Sequence, residues 1–425
     1  MPDPSSAVLQ ITSYERLDFD HLLSHPASSL ANAYIIRKAL IRKHYLSNTV
    51  ANWITKHPDS ILETHVKPAI DFELDYAEFL DEALVEAYEL KESWARNESA
   101  DERDRDWWIL KPSMSDRGQG IRMFSTEEEL RDIFEEWEAE QPDSDSECGT
   151  ETDNPTVINV EAPDTRTASN GDGTTDKDYI ITSQLRHFIA QPYIHPPLLL
   201  PSSHGRKFHI RTYVLAVGSL RVYVYRAMLA LFAADAYTAP AAQPAHAINL
   251  NAHLTNTCLQ TDLPDTKSTA SVRRFWSLDD DVELSFAHPP SEHTSASTIS
   301  QDEKQDWKDS IHAQIRTITS ETFRAAAREN MIHFQTLPNA FEIFGLDFMV
   351  DGKGKVWLLE VNAFPDFKQS GKGEEMRDGV VGGLWRGVVD VGVLPFFEGL
   401  GWGVKAESGD SRDMELELEL DLGRR

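Results

Sequence analysis

Apolar residues return at helical spacing early in the chain and in short continuous runs later, and this change of period gives the first outline of the fold. Residues 1–30, with Pro2, Pro4 and Pro26, read as an irregular extension. From Ser28, the residues Leu30, Tyr34, Ile35, Leu40, Ile41 and Tyr45 recur at roughly helical intervals, with Arg37, Lys38, Arg42 and Lys43 between them. That pattern predicts a helix, and a second is predicted from Tyr76 to Trp94, a stretch rich in Leu, Ala and Glu. The run from Trp107 to Leu110 reads as a buried strand that ends at Lys111-Pro112, with Ile121 to Phe124 as its return. Thr126, with Glu129 three residues on, is the capping-box opening of a helix reaching Glu138. Further strands are predicted from Phe188 to Tyr193, Phe208 to Val217 and Arg221 to Met228. After a helix near 306–331 come two more, Phe341 to Val350 and Val356 to Ala363. Helices mixed with short β-rich runs imply an α+β (α/β) enzyme with segregated layers.

Composition changes that outline in three places. The chain of 425 residues carries a formal net charge of -29. Much of it falls in 139–178, where eleven Asp/Glu stand against two Lys/Arg, too polar to bury a core; this window is expected to be a disordered acidic insertion. A second such insertion is expected near 261–305. Residues 371–425 read as a mobile acidic tail, although the Glu415–Leu422 alternation of acids and leucines also suits a strand or a partner segment. Between these lie an N-terminal/central subdomain, 31–138, and a C-terminal subdomain, 179–370. The acidic balance disfavours broad nucleic-acid binding, which needs a cationic surface. Cys148 and Cys258 form no metal spacing or disulfide framework. No apolar run approaching ~18 residues and no signal peptide is read, so the expectation is a cytoplasmic protein without a membrane.

The sharpest chemistry lies in the last two predicted strands. If Lys353-Gly354 is a two-residue hairpin loop, partners' numbers sum to 707, which sets Asp347 across from Glu360. Glu360 and Asn362 then share a face. Two carboxylates and an amide converging in an apolar hairpin repel unless a hard cation joins them, and magnesium held with ATP phosphates suits these ligands. In Lys207-Phe-His-Ile-Arg211 the two cations and His209 share one strand face, a set suited to polyphosphate. Lys111 precedes a loop with Gly118 and Gly120 that can lay backbone amides over phosphates, without being a Walker A sequence. Asn251-Ala-His-Leu-Thr-Asn256 offers a short polar loop. There is no Gly-x-Ser-x-Gly pattern, and neither cysteine has a nearby histidine.

In this order these pieces resemble the tubulin-tyrosine ligase family of the ATP-grasp superfamily. The matching text is Trp108 to Ser113, Gly118 to Ile121, Ile189 to Ile194, Arg206 to Arg211, His253 to Asn256, Phe344 to Phe348 and Leu358 to Asn362. The segment Ala33 to Lys43 is most similar to a fungal subgroup that includes a P-body-associated protein. The resemblance implies an ATP-grasp fold with the nucleotide held between two β-rich subdomains. It implies that Lys111, Lys207 and Arg211 hold ATP phosphates, and that Gln191, Pro192 and Ile194 surround the adenine. It further implies that His253, Thr255 and Asn256 line the nucleotide and acceptor side, that Asp347, Glu360 and Asn362 bind Mg2+, and that Arg211 and Glu360 are catalytic. Lys38 matches a basic residue at the start of the family's central domain. Three features depart from the family pattern: His209 where it has Asp, Leu231 where it has a second Arg, and a short region before Lys38.

The activity implied is a carboxylate-amine ligase that forms an amide through an acylphosphate, joining an amino acid to a protein acceptor carboxylate. The departures speak against tubulin as that acceptor. The alternative is a catalytically silent nucleotide-binding scaffold among RNA-granule (P-body) proteins; a kinase-like phosphotransferase stands third.

Overall fold

The computed structural model describes residues 6–113, 118–140, 182–240, 248–255, 271–278, 307–365, 367, 377–401 and 413–420. The acidic window 141–181, most of the second expected insertion and Asn256 lie outside these residues.

Thirteen strands are described. They are β1 Val8–Gln10, β2 Ser29–Ala31, β3 Ile70–Glu73, β4 Trp108–Pro112, β5 Arg122–Phe124, β6 His187–Pro192 and β7 Arg206–Val217. The others are β8 Arg221–Tyr225, β9 Leu229–Ala236, β10 Val272–Arg274, β11 Phe341–Val350, β12 Val356–Ala363 and β13 Met414–Glu419. A four-stranded sheet runs β3-β6-β4-β5, and a seven-stranded sheet runs β10-β9-β7-β11-β12 with β8 on β7 and β13 on β8. All pairs in both sheets are antiparallel. Helices and two β-rich lobes make the mixed fold that the patterning implied.

Alternation along β7 and β11 divides the large sheet into two faces. Phe208, Ile210, Val214, Phe344, Leu346 and Phe348 pack under the Trp307–Glu329 helix and the Lys43–Lys56 helix. On the opposite face Tyr213, Leu215, Phe341 and Ile343 meet Leu384, Val388 and Val393 of the C-terminal helix. This leaves the other end of that second face, at 207–211 and 347–349, open for a site. The small sheet has its own core, in which Phe72, Phe124, Phe134, Trp137 and Phe188 interlock. Its Glu127–Ala139 helix opens with the Thr126/Glu129 capping box.

Several expectations change. Ser29–Ala31 is a strand rather than helix, because it pairs in parallel with Val8–Gln10; the region before it also contains the Phe19–Ser24 helix. Helical structure begins only at Lys38 and breaks at Arg42. The helix predicted over 76–94 is split, with Leu80–Ala83 and Tyr88–Ser99 as its helical parts. Within the second expected insertion, Val272–Arg274 pairs with β9, and Phe275 is fully buried under Met228 and Trp307; this short apolar island orders itself. The expected mobile tail contains β13, whose Met414 and Leu418 are buried while Arg226 and Arg316 hold Glu415 and Glu417. It also contains the helix Gly379–Glu398, which by length and composition alone could cross a membrane, contrary to the reading that no stretch could. Its Val380, Leu384, Val388 and Val393 lie on the sheet, where a Cβ at Gly392 would stand 3.7 Å from Leu215 and Phe341, while Val389 is exposed.

Candidate nucleotide and metal site

The β11–β12 hairpin sets Asp347 across from Glu360, with partner numbers summing to 707 from Phe344 to Asp347. Nearer the turn, Phe348 pairs with Leu358 and Val350 with Val356, a sum of 706. Leu359 is the extra residue of a β-bulge, and the turn is longer than two residues, closing with Asp351 N–H on Lys355 O. The expected juxtaposition therefore arises from a different turn corrected by a bulge. The bulge also lets the consecutive residues Leu359 and Glu360 both line the cleft.

On its other side Asp347 pairs with Arg211 of β7, so Arg211, Asp347 and Glu360 form one row across three strands. Arg211 donates Nε to Asp347 Oδ1 at 2.5 Å and Nη2 to Oδ2 at 2.9 Å. Its guanidinium lies over Gly345, where a Cβ would come within 3.3 Å of Arg211 Cδ and 3.0 Å of Pro365 Cβ. Asn362 donates to Glu360 Oε1 at 3.1 Å and sits 3.4 Å from Asp347 Oδ2. Burial would raise the Glu360 carboxyl, but Lys43, Lys111, Asn362 and Arg211 outweigh it and hold the group near 2, ionised at neutral pH. For Arg211 burial is outweighed by Asp347, which raises its proton affinity.

A cleft with about 1070 Å³ of empty space opens over this row between the two sheets. Lys111, Gln191, Pro192, Ile194, Lys207, Arg211, His253, Thr255, Asp347, Glu360 and Asn362 all line it. Lys111 donates to Gln191 Oε1 at 3.1 Å, and Lys207 to Tyr193 Oη at 2.8 Å, which also contacts His253 Nδ1 at 2.8 Å. Burial pulls Lys111 down to about 8. Burial, reinforced by Lys111, pulls Lys207 down to about 7. His209 is buried with Nδ1 2.6 Å from Thr255 Oγ1, and its Nε2 lies 3.6 Å from Asp347 Oδ1. Leu231 is the cross-strand partner of His209, so two of the three departures from the family pattern occupy one position pair.

Sequence reasoning missed Lys43, Tyr193 and the apolar linings Ile109, Ile121, Met349 and Leu359. Lys43 Nζ is 4.0 Å from Glu360 Oε2, whereas Lys38, the basic residue singled out, is exposed on the Lys38–Ile41 helix. Periodicity alone could not choose between them; Met349, two residues beyond Asp347 on the same strand face, was readable.

The donor set suits a hard divalent ion: two carboxylates and an amide, with Glu360 held ionised by the surrounding cations despite its burial. No cluster of three or more His, Cys, Asp or Glu among the described residues forms a complete metal cage.

Two antiparallel lobes closing on such a cleft define an ATP-grasp protein. The solved C-terminal domain of K. lactis Pby1, described as an ATP-grasp enzyme interacting with the mRNA decapping enzyme Dcp2, matches with a TM-score of 0.63 and 33% identity, covering 99% of this chain and 90% of that one. The chain belongs to the tubulin-tyrosine ligase family, whose model matches residues 40–398. It is 43% identical over 392 residues to a probable tubulin–tyrosine ligase of Schizosaccharomyces pombe, covering 92% of this chain and 84% of the relative. It is 44% identical over 369 residues to the probable tubulin–tyrosine ligase PBY1 of Saccharomyces cerevisiae, covering 86% of this chain; it spans only 43% of that relative's length.

Proposed function

We propose that the chain is an ATP- and Mg2+-dependent carboxylate-amine ligase. The observation that carries this reading is the Arg211–Asp347–Glu360 row facing Lys111 and Lys207 in one cleft. Asp347, Glu360 and Asn362 would hold the magnesium, which supplies charge neutralisation to the transferring phosphoryl group. Lys111, Lys207 and Arg211 hold the phosphates, and Gln191, Pro192 and Ile194 border the base, with His253 and Thr255 beside them. An acceptor carboxylate oxygen bonds to the γ-phosphorus as the bond to ADP breaks; an amine then displaces phosphate to leave an amide. No protein nucleophile is required, so positioning and electrostatics carry the rate.

The test is ADP release in the presence of candidate acceptors and pooled amino acids, with mass spectrometry of the acceptors. A gain of one amino-acid residue, lost in Glu360→Gln, supports the ligase. A fall of about 10²–10³ in kcat is the scale expected for removing one charge-stabilising group. The second reading, a silent nucleotide-binding scaffold, is favoured by the joint change at His209 and Leu231; it predicts nucleotide binding without acceptor-dependent turnover. The K. lactis Pby1 domain is described as interacting with the decapping enzyme Dcp2; we propose the same contact for this chain and, with it, a cytoplasmic place among RNA-granule proteins. Binding of purified Dcp2 tests that placement.

A further inference from the structure

A second, smaller cavity adjoins the nucleotide cleft and shares Lys43, Lys111, Gln191, Leu359, Glu360 and Asn362 with it. It runs past the edge of β12 toward the Lys38–Ile41 and Lys43–Lys56 helices, where a bridge between Val66 and Leu358 joins the loop before β3 to that edge. Beyond the shared end its walls are aliphatic: Leu40, Ile41, Leu46, Val66, Ile189 and Val361. The one hydroxyl among its lining side chains is that of Ser47, which donates to Ala69 O at 3.3 Å. The remaining charge there, Lys67, lies 4.0 Å from the centroid of the Trp357 ring.

We propose that this cavity binds a small aliphatic carboxylate of amino-acid size, its carboxylate beside Lys43 and Lys111 and its hydrocarbon body against the aliphatic walls. The inference rests on the ligase reading and adds to it the class of small substrate. The shared end borders Lys111, Glu360 and Asn362, the groups the ligase reading gives to the phosphates and the ion, and the ammonium groups of Lys43 and Lys111 there match a carboxylate. Further in, burial favours apolar surface, and the one cation there, Lys67, is held against the Trp357 ring. The second carboxylate of glutamate would be desolvated among alkyl groups unless it drew Lys67 away from Trp357, and a phenol would have Ser47 alone as a side-chain hydroxyl partner. Branched aliphatic side chains fit these walls better than acidic or phenolic ones. Two sources share this chemistry: an amino acid as amine donor, or a carboxylic acid as acceptor.

The experiment is calorimetric titration of the full chain, saturated with Mg2+ and ADP, with leucine, 4-methylpentanoate, glutamate and tyrosine. Leucine or 4-methylpentanoate is expected to bind about tenfold or more tightly than the other two, the discrimination a shaped apolar pocket provides. Leucine alone identifies an amine donor, and equal binding of the des-amino acid identifies an acceptor. Ala69→Phe, or Ser47→Phe as a second filling variant, should abolish this binding while ADP still binds, which also verifies folding. The proposal is overturned if ADP binds but no carboxylate does, if glutamate or tyrosine equals leucine, or if both filling variants keep wild-type leucine affinity. Failure to bind ADP would instead overturn the ligase reading itself.

Discussion

Arg211 and Asp347 meet as a two-point fork with nitrogen–oxygen distances of 2.5 and 2.9 Å, and their side chains are only 12% and 5% exposed. Removing one partner strands the other charge. Asp347→Asn is expected to cost about 3–5 kcal/mol, read as a lowered urea midpoint. Adding Arg211→Met should recover part of that loss, so the double variant is less destabilised than the sum of the singles. Strict additivity would mean that the pair is not coupled.

Gly345 separates Arg211 from Pro365, and a methyl group there would stand 3.3 Å from the arginine Cδ and 3.0 Å from the proline Cβ. Gly345→Ala should therefore cost about 1–3 kcal/mol, the range for overpacking, and shift Arg211. The informative readout is nucleotide affinity measured where the variant remains folded. Unchanged affinity would show that the guanidinium does not need this space.

Lys207 near 7 and Lys111 near 8 titrate close to neutrality because burial disfavours their charged forms. Bound phosphates favour the ammonium, so nucleotide binding should draw in protons, and affinity should fall as pH rises through about 7 to 8. Calorimetry in buffers of different ionisation heat measures the uptake, and Lys207→Met should reduce it. The ligand-free protein runs the other way. Its folded state binds these protons more weakly than the unfolded chain, so their contribution to stability grows with pH above about 7.

β13 closes the edge of β8, with Met414 and Leu418 buried and Glu417 paired to Arg316. Ending the chain before residue 413 should lower the unfolding temperature and promote association through the bared edge. Thermal unfolding and light scattering measure the two effects; a monodisperse truncation of unchanged stability would remove β13 from the account of the core.

The parts of this architecture that were legible share a short-range origin. The β11 and β12 spans follow from continuous apolar runs, and the Thr126 cap from a local sequence signature. The illegible parts depend on distant partners. Ser29–Ala31 is extended because Val8–Gln10 lies beside it, and β13 exists because β8 offers an unpaired edge. Lys43 rather than Lys38 reaches the cleft because the helix breaks at Arg42, which no period reveals. The facing of Asp347 and Glu360 was anticipated through the wrong turn, since a longer loop and the Leu359 bulge offset one another.

That bulge has an evolutionary corollary. Leu359 is supernumerary in the ladder, so losing it would leave Glu360 still opposite Asp347, and exchanging it would disturb neither. Yet its side chain borders both cavities. Position 359 is thus a place where descendants of this chain can retune what they accept while the Asp347 and Glu360 oxygens stay put.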